Sequence, residues 1–432
     1  MKKILATASL VVLVTSSFAQ SGTNSPYSQY GLGELSDQTS GFNRGMNGLG
    51  LGFREHNQMN YINPASYSAL DSLSFIFDMG ISGQLTNFKE NSRKVNAKNA
   101  DLEYVQAGFR AARHLGVSFG VLPFTNVGYD YSFSGTVNGD ANNTTYTNEY
   151  SGSGGLHQVY LGFGWEPFKG FAFGANASYL WGNYTRTVNN VFSGSSSTNL
   201  MRIYTADMRS YKFDFGLQYT LPLSKKDRLT LGLTYSPGHD IGGEPRVVVR
   251  SYTVTSSSQM SVIGADTLGG ASLSHKIPHI FGAGFAFNHQ NRWKVGVDYS
   301  LQKWSSLEAP IYESHTYTMR SGFYKDRSKL TAGGEFCNNP MGRRFFDRIR
   351  YRVGASYATP YYTINGQDGP KEISVSAGFG IPIINSANNR SILNISGQWV
   401  NRSADGLIKE NTFRINIGLT FNERWFMKWK VD

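Results

Sequence analysis

Apolar and polar residues alternate with a period of two along most of this chain. Between positions 211 and 221 the odd positions are aromatic or aliphatic, and the even positions are small, polar or charged. The same pattern recurs in about fourteen segments, whereas a helix would repeat its apolar residues every three to four positions. The pattern therefore predicts β-strands that have one apolar face and one polar face.

The connections between these segments fall into two length classes. Those after even-numbered segments are short, and those after odd-numbered segments are mostly longer and rich in Gly, Ser and Asn. Bacterial transmembrane barrels have short periplasmic turns and longer outer loops. We therefore predict an all-β fold, a transmembrane antiparallel β-barrel of about 14 strands over residues 71–423, with its N-terminus in the periplasm. A soluble β-sandwich would also alternate, but its strands would be shorter.

Three parts of the strand assignment bear on the description of the fold below. Residues 228–253 and 271–288 each read as one strand, and residues 88–100 read as the first outer loop. The turn at 337–346 is an exception among the short turns, because it is long and basic.

The N-terminus has the three parts of a secretory signal peptide. Two lysines follow Met1, an apolar run covers residues 4–14, and small residues lead up to Ala19. We predict that residues 1–19 are a signal peptide cleaved near Ala19, and that the mature protein is integral to the cell outer membrane. A buried N-terminal helix is the alternative. Residues 424–432 run past the last predicted strand, and we expect them to form a periplasmic C-terminal tail.

Residues 20–70 do not alternate. They are rich in glycine, as in the run 45–52, and they also contain leucine, methionine and several aromatic residues. About fifty residues without strand periodicity ahead of a barrel predict an N-terminal plug (hatch) inside the lumen. The alternative is a disordered periplasmic tail, which the aromatic and aliphatic content disfavours.

Charged residues lie on the polar faces of several predicted strands. A Lys or Arg that faced lipid at the midplane would cost roughly 2–4 kcal/mol, so we expect these side chains to face the lumen. They either bind an anionic solute or carboxylate headgroup, or pair with one another and with the plug, and the second role is favoured. The predicted lumen charges are Lys212, Asp214, Lys294, Asp298, Arg350, Arg352 and Arg414.

Residues that could carry catalysis or bind a metal are scattered. His275 and His279, on one strand, would lie about 13 Å apart, too far to share an ion. The single cysteine, Cys337, provides neither an internal disulfide nor a cysteine metal site. No local signature marks a set of nucleophile, base and orienting residue. The sequence thus predicts no enzyme, no cofactor and no metal, and nucleic acid is a poor partner for an exported chain despite the net charge of +11.

Several features together resemble the FadL-like family of long-chain fatty-acid transporters of the outer membrane. These are the signal peptide, the glycine-rich segment, about 14 strands and the tripeptide Asn63-Pro64-Ala65 before the first strand. The resemblance implies a plug and a kinked third strand that opens a lateral gap in the wall. Here the third predicted strand contains Pro123-Phe124, and proline cannot donate to the ladder. Either the pairing breaks at this point or the strand ends there.

Two functions are consistent with these features. The resemblance implies a passive channel for hydrophobic or amphipathic molecules, which would leave sideways past the lateral-gate candidates Pro123 and Phe124. The apolar ligand candidates in the plug are Met46, Leu49, Leu51 and Phe53. The alternative is a non-transporting barrel subunit of an outer-membrane secretion or assembly machine, which docks protein partners through its loops and tail. Residues 25–33 resemble barrels of Bacteroidetes-type bacteria, and the expected partners are outer-membrane lipid, a hydrophobic ligand or other envelope proteins.

Overall fold

The computed structural model describes residues 22–137, 144–193, 197–254, 259–383 and 391–423. The predicted signal peptide (1–19) and C-terminal tail (424–432) lie outside these described residues. Most of the described chain is β-strand. Within it, no helix is both long enough and apolar enough to cross a membrane.

Fourteen antiparallel strands of the described chain close into a barrel. In chain order the strands are β1 (Glu34–Leu35), β2 (Phe75–Glu90), β3 (Arg93–Ala112), β4 (Leu115–Thr136), β5 (Thr145–Phe168), β6 (Phe171–Phe192), β7 (Asn199–Pro222), β8 (Asp227–Ser236), β9 (His239–Gly242), β10 (Arg246–Val254), β11 (Met260–Gly269), β12 (His275–Ile277), β13 (Ile280–His289), β14 (Trp293–Gln302), β15 (Ala309–Glu313), β16 (Thr316–Arg320), β17 (Arg327–Phe336), β18 (Arg350–Ala358), β19 (Thr363–Ile364), β20 (Gln367–Asp368), β21 (Lys371–Ile383), β22 (Ser391–Ser403) and β23 (Lys409–Glu423). The barrel consists of β2 to β8, β13, β14, β17, β18 and β21 to β23, and β23 pairs back onto β2 to close it.

Short helical turns occur before the first strand and between later strands. They are η1 (Pro26–Gln29), α1 (Gly41–Arg44), η2 (Pro64–Ala69), η3 (Trp304–Ser306) and α2 (Phe345–Arg348). Both η1 and η2 begin with a proline that follows a polar capping residue. The Ser25 side chain accepts a backbone N–H in η1, and the Asn63 side chain does so in η2. Proline suits the first helical position because its missing N–H would be unpaired there in any case.

The alternation places apolar side chains on the outer surface of the barrel and polar side chains inside it. On β7, Tyr211 is 54% exposed and its neighbour Lys212 is 3% exposed. A soluble sandwich would bury the apolar face instead. The barrel thus has the polarity of a protein whose outer surface faces lipid. The predicted all-β barrel with about 14 strands is confirmed, and the sandwich alternative is wrong.

Prolines break two of the strands that were predicted as continuous. The segment 228–253 contains three strands, because β8 ends before Pro237 and the chain then forms β9 and β10. The segment 271–288 divides into β12 and β13 around Pro278. Proline lacks the N–H that a ladder position needs, so pairing stops at each site.

The first outer loop is also shorter than predicted. Residues 88–100 mostly extend β2 and β3, which pair from Phe75↔Phe109 to Glu90↔Arg93. A two-residue turn joins them, and Asn91 there has a φ of +51°. Asparagine tolerates this left-handed conformation better than most residues, which favours a tight hairpin.

Candidate functional site: the barrel interior and its wall

The N-terminal segment, defined here as residues 22–70, contacts the polar faces of strands around the whole barrel. Its backbone N–H groups at Gly50 and Leu51 both donate to Asp298 Oδ2 of β14, at 2.7 and 2.8 Å. A side chain at Gly52 would bring its Cβ within 2.4 Å of the backbone nitrogen of Ala286. Only glycine therefore lets the segment lie this close to β13.

The tripeptide Asn63-Pro64-Ala65 joins the segment to the wall at β7. Asn63 Oδ1 accepts the N–H of Ala65 at 3.2 Å and so caps η2. Asn63 Nδ2 donates to the carbonyl of Leu51 at 3.0 Å and to that of Leu217 at 3.1 Å. One side chain thus links two turns of the N-terminal segment and a barrel strand.

The four apolar ligand candidates are packed into the interior. Met46, Leu49, Leu51 and Phe53 are 0, 0, 4 and 2% exposed. Met46, Leu49 and Phe53 form one cluster with Phe42 and with Ala286 of the wall. Their side chains contact each other and the barrel rather than the surface of an open cavity.

Four of the predicted lumen charges belong to two clusters of charged groups. In the first, Glu335 of β17 accepts from Arg350 at 2.7 Å and from Arg352 at 2.8 Å. Lys294 lies 3.3 Å from Glu335 and 2.5 Å from Glu55 of the N-terminal segment. Burial favours the neutral form of Glu55, but the positive charges of Lys294 and Arg350 outweigh it and hold its pKa below the ordinary value.

The second cluster holds the middle of the N-terminal segment. Asp37 lies 3.3 Å from Lys329 and 3.8 Å from Arg414. Burial alone would raise the pKa of Asp37. The positive charges of Lys329, Arg414 and Arg44 lower it by more than burial raises it, so the pKa lies below its ordinary value. Arg44 itself donates to Glu103 of β3 at 2.8 Å.

The remaining three predicted charges also have protein partners. Lys212 pairs with Asp214, and Asp214 accepts from the hydroxyl of Tyr61 at 2.9 Å. Asp298 accepts the two backbone N–H groups described above. All seven predicted lumen charges therefore contact one another, another wall residue or the N-terminal segment.

Several charged residues of the interior were not predicted from the sequence. Glu335 lies on a predicted strand, and its position relative to the apolar residues of that strand would have placed it inside. Glu55, Arg44 and Asp37 lie in the segment without periodicity, where no such signal exists. Arg402 was also missed, and it lies 2.6 Å from Glu34.

An interior cavity lies beside these charged groups. Its volume is about 90 Å³, and its lining includes Glu34, Asp37, Glu103, Arg402 and Arg414. Small-molecule sites have volumes of about 300–1,000 Å³ and mostly apolar linings. This cavity has the size and the polarity to hold a few water molecules.

The wall has a gap between β3 and β4. The two strands pair only up to Val105↔Val121, although β4 continues to Thr136. Pro123 lies just beyond this point, and the register of β4 against β5 shifts between Pro123 and Thr125. The strand therefore does not end at Pro123, but its pairing with β3 does.

The N-terminal segment occupies part of this gap. Its strand β1 pairs with β4 at Glu34↔Asn126 and Leu35↔Thr125. The N–H of Ser36 then donates to the carbonyl of Phe124 at 3.1 Å. Three consecutive residues of the segment thus take the position next to β4 that β3 has left.

The turn between β17 and β18, defined here as the 337–349 turn, exposes apolar side chains on a fixed backbone. Met341 is 92% exposed and Phe346 is 72% exposed. The Asn339 N–H donates to the Asp347 carbonyl at 2.8 Å, and the Asn338 side chain donates to the Asp347 carboxylate at 2.7 Å. These bonds hold the turn in one shape while its apolar side chains remain uncovered.

Comparisons with known proteins place the fold. No curated protein sequence matches the chain. The toluene transporter TbuX of Ralstonia pickettii is similar in structure, with a TM-score of 0.59 and 13% identity over 89% of this chain and 98% of that one. The toluene transporter TodX of Pseudomonas putida has a TM-score of 0.58 and 14% identity over 92% of this chain and 100% of that one. A FadL homologue of Pseudomonas aeruginosa has a TM-score of 0.57 and 11% identity over 90% of this chain and 98% of that one.

At these identities the structural likeness establishes a shared fold. The FadL-like resemblance of the sequence is therefore confirmed for the barrel architecture. The family model that matches carries a different description: it is BamG, and it matches residues 1–432, the full length of the sequence. This protein belongs to the BamG family.

Proposed function

We propose that this BamG-family protein is an outer-membrane barrel, plugged by its N-terminal segment, that acts as a non-transporting subunit of a larger envelope assembly. Its short turns would face the periplasm, and the 337–349 turn would dock a periplasmic protein. The observation that carries the proposal is the filled interior, where the cavity beside the charged clusters has a volume of only about 90 Å³.

The energetics of the interior support a permanent plug. Removing the N-terminal segment would separate Arg44 from Glu103 and Glu55 from Lys294, and both pairs are buried. Breaking a buried ion pair so that one charge stays unpaired costs about 3–5 kcal/mol. A solute that opened the lumen would have to supply this energy for each pair, which disfavours routine passage.

The 337–349 turn supports a docking role. Exposed apolar side chains on a rigid loop are typical of protein interaction sites rather than of surface in contact with water. Arg343 and Arg344, which are both exposed, flank the apolar side chains. An apolar partner surface with acidic residues around it would complement this turn.

The decisive experiment is purification of the full-length protein from its native membrane in a gentle detergent. We expect protein companions to remain with the wild type and to be lost from a Met341→Ser/Phe345→Ser/Phe346→Ser variant. Phe168→Ser is the matched control, because Phe168 is 73% exposed at the end of β5, beside the short turn before β6. A wild-type barrel that purifies alone, or companions that the triple variant retains, would contradict the proposal.

A passive channel for hydrophobic molecules is the second candidate, and the gap between β3 and β4 is the observation that favours it. Two of the structurally similar proteins are toluene transporters. A hydrophobic molecule would leave sideways near Pro123 and Phe124 once residues 34–36 had moved.

Ser36→Pro tests the channel, because it removes the N–H that bonds the Phe124 carbonyl. Ser36→Thr keeps this N–H and the hydroxyl that accepts from Asn126 at 3.1 Å, and it is the control. In a channel, Ser36→Pro would change the uptake of toluene into vesicles and Ser36→Thr would not. Equal uptake by wild type, Ser36→Pro and empty vesicles would exclude the channel and leave the scaffold proposal.

A further inference from the structure

The outer surface of three adjacent strands, β3, β2 and β23, carries a cluster of lysines at one end. Lys89 of β2 lies opposite Lys94 of β3 on one side and opposite Lys409 of β23 on the other. Lys98 of β3 lies opposite Leu85, closer to the middle of the wall. All four lysines are exposed.

The lysine cluster, defined as Lys89, Lys94, Lys98 and Lys409, has no anionic partner among the described residues. Like charges that are directly opposite each other in a sheet destabilise it. The only acidic residue of the adjoining hairpin tip, Glu90, pairs in register with Arg93. The cluster is thus an uncompensated positive patch that a bound anion would stabilise.

A row of asparagines lies between Lys89, Lys94 and Lys409 at the end of the strands and Lys98, which is two residues closer to the middle of the wall on β3. Asn87 of β2 is opposite Asn96 of β3 and Asn411 of β23. The Asn87 side chain donates to that of Asn96 at 2.6 Å. These amides can bond to the hydroxyl and carbonyl groups that a lipid carries between its charged end and its acyl chains.

An apolar groove continues below the asparagines on the same three strands. Gly83 of β2 lies opposite Ala100 of β3, and these small residues leave a depression of about 540 Å³. A Cβ at Gly83 would meet no atom within 4 Å. The groove walls are Ile81, Leu85, Phe413, Ile415 and Ile417, which are 41–51% exposed.

The order of these features matches the order of groups in a phosphorylated lipid. Four residues separate Lys89 from Leu85, or roughly 13 Å along the strand. Charged, amide and apolar layers therefore follow one another over the depth of a lipid headgroup, and Lys98 adds a fourth cation at the edge of the groove. The groove volume of about 540 Å³ lies within the ~300–1,000 Å³ range of small-molecule sites.

We propose that this face binds a phosphorylated, multiply acylated glycolipid of the outer leaflet, of the lipid A type. A phosphate lies among the lysines, the polar sugar groups contact the asparagine row, and one acyl chain lies in the groove over Gly83. The proposal rests on the proposed orientation, in which the β2–β3 turn is outside the cell. It requires neither transport nor a protein partner.

The test measures the affinity of purified full-length protein for fluorescent bisphosphorylated lipid A in detergent. The first variant is Lys89→Gln/Lys94→Gln/Lys98→Gln/Lys409→Gln, and its control is Lys225→Gln/Lys226→Gln at the turn between β7 and β8. The second is Gly83→Leu, which fills the groove without a clash. Its control is Gly264→Leu on β11, away from the groove, where a Cβ would likewise meet no atom within 4 Å. Heat-dependent gel mobility shows that each variant is folded.

We expect the four-lysine variant to bind lipid A about six-hundredfold more weakly, since each of the four lysines near a lipid headgroup contributes about a fivefold factor. Gly83→Leu should weaken binding about tenfold, and both controls should bind as the wild type does. Millimolar inorganic phosphate should not compete. Wild-type affinity in either test variant would overturn the proposal, as would full competition by free phosphate, which would reveal an anion site without a lipid.

A separate experiment tests the orientation of the barrel in the membrane. Asn91→Cys in a Cys337→Ser background places one thiol at the β2–β3 turn. A membrane-impermeant maleimide should label it on intact cells. If the thiol is not labelled, the outer-leaflet assignment is wrong even when lipid A binds in detergent, so failure of the orientation and failure of the site are distinguishable.

Discussion

Glu335 and Arg352 face each other across the β17–β18 pair, and Arg352 Nε donates to Glu335 Oε2 at 2.8 Å inside the barrel. Arg352 also donates to the side chain of Gln58 at 3.1 Å. The same arginine therefore holds two wall strands together and holds the N-terminal segment against them. Glu335 supplies the negative charge for this contact, and the cations Lys294, Arg350 and Arg352 surround it.

Glu335→Gln should lower the free energy of unfolding by about 3–5 kcal/mol, because it leaves buried cations without their shared carboxylate. Equilibrium urea unfolding of the barrel in detergent micelles measures this change. Glu244→Gln removes a carboxylate from an exposed ion pair with Arg246 and should cost less than about 1 kcal/mol. Similar losses in the two variants would show that the interior cluster does not stabilise the fold.

Asn63→Ala should loosen the N-terminal segment from β7. The variant loses the cap of η2 and both donated hydrogen bonds, and leaving buried carbonyls unpaired costs about 1–3 kcal/mol. We expect faster cleavage of the segment by a protease added to the folded barrel. Asn63→Ser keeps a capping oxygen but not the donated bonds, so its cleavage rate should fall between those of wild type and Asn63→Ala.

Gly52→Ala should open the lumen to ions. The added Cβ would lie within 2.4 Å of the Ala286 backbone, so the segment must move away from β13. Single barrels in planar bilayers should then show ion conductance that wild type lacks. Gly264→Ala is the control, because a Cβ there meets nothing within 4 Å. A Gly52→Ala barrel as silent as wild type would mean that the added methyl group does not move the segment away from β13, and a conducting wild-type barrel would mean that the segment does not block the lumen.

The N-terminal segment should block the lumen less well only in strong acid. The pKa of Asp37 lies below its ordinary value, so its contribution to stability is complete above about pH 3.9 and is lost as the pH falls through the lowered pKa. Conductance should therefore stay constant from neutral pH to about pH 4 and rise below it. Asp37→Asn lacks the charge at every pH, so its conductance should be higher at neutral pH and should change less in acid. A rise in wild-type conductance near neutral pH would contradict this assignment.

The wall of the barrel is predictable from sequence because its signal is local. Each strand has one face toward lipid and one toward the interior, so the period of two marks both the strand and the direction of each side chain. This places Lys212, Asp298 and Arg352 inside without a structure. The errors at Pro237 and Pro278 have a local cause too, since a proline ends pairing whatever the polarity around it.

The arrangement of the interior needs contacts that are distant in sequence. Arg44 and Glu55 lie in a segment without periodicity, so nothing local assigns them partners. Their partners Glu103 and Lys294 follow from the path of the segment across the barrel. The gap between β3 and β4 also depends on contacts that are distant in sequence. Pro123 indicates a break in pairing, but only the pairing of β1 with β4 shows that residues 34–36 take the place of β3.

The bond closest to Pro123 in the gap is made by main-chain atoms, while the Ser36 hydroxyl accepts a second bond from the Asn126 side chain at 3.1 Å. The Ser36 N–H and the Phe124 carbonyl form the first bond, and the side chains at 34–36 take no part in that bond. Substitutions that keep a backbone N–H should therefore preserve it, and proline is the one residue that cannot. The wall of this barrel is thus complete only after residues 34–36, which precede the first barrel strand, have paired with β4, the third barrel strand. The N-terminal segment must therefore be in place before the wall can close at the gap.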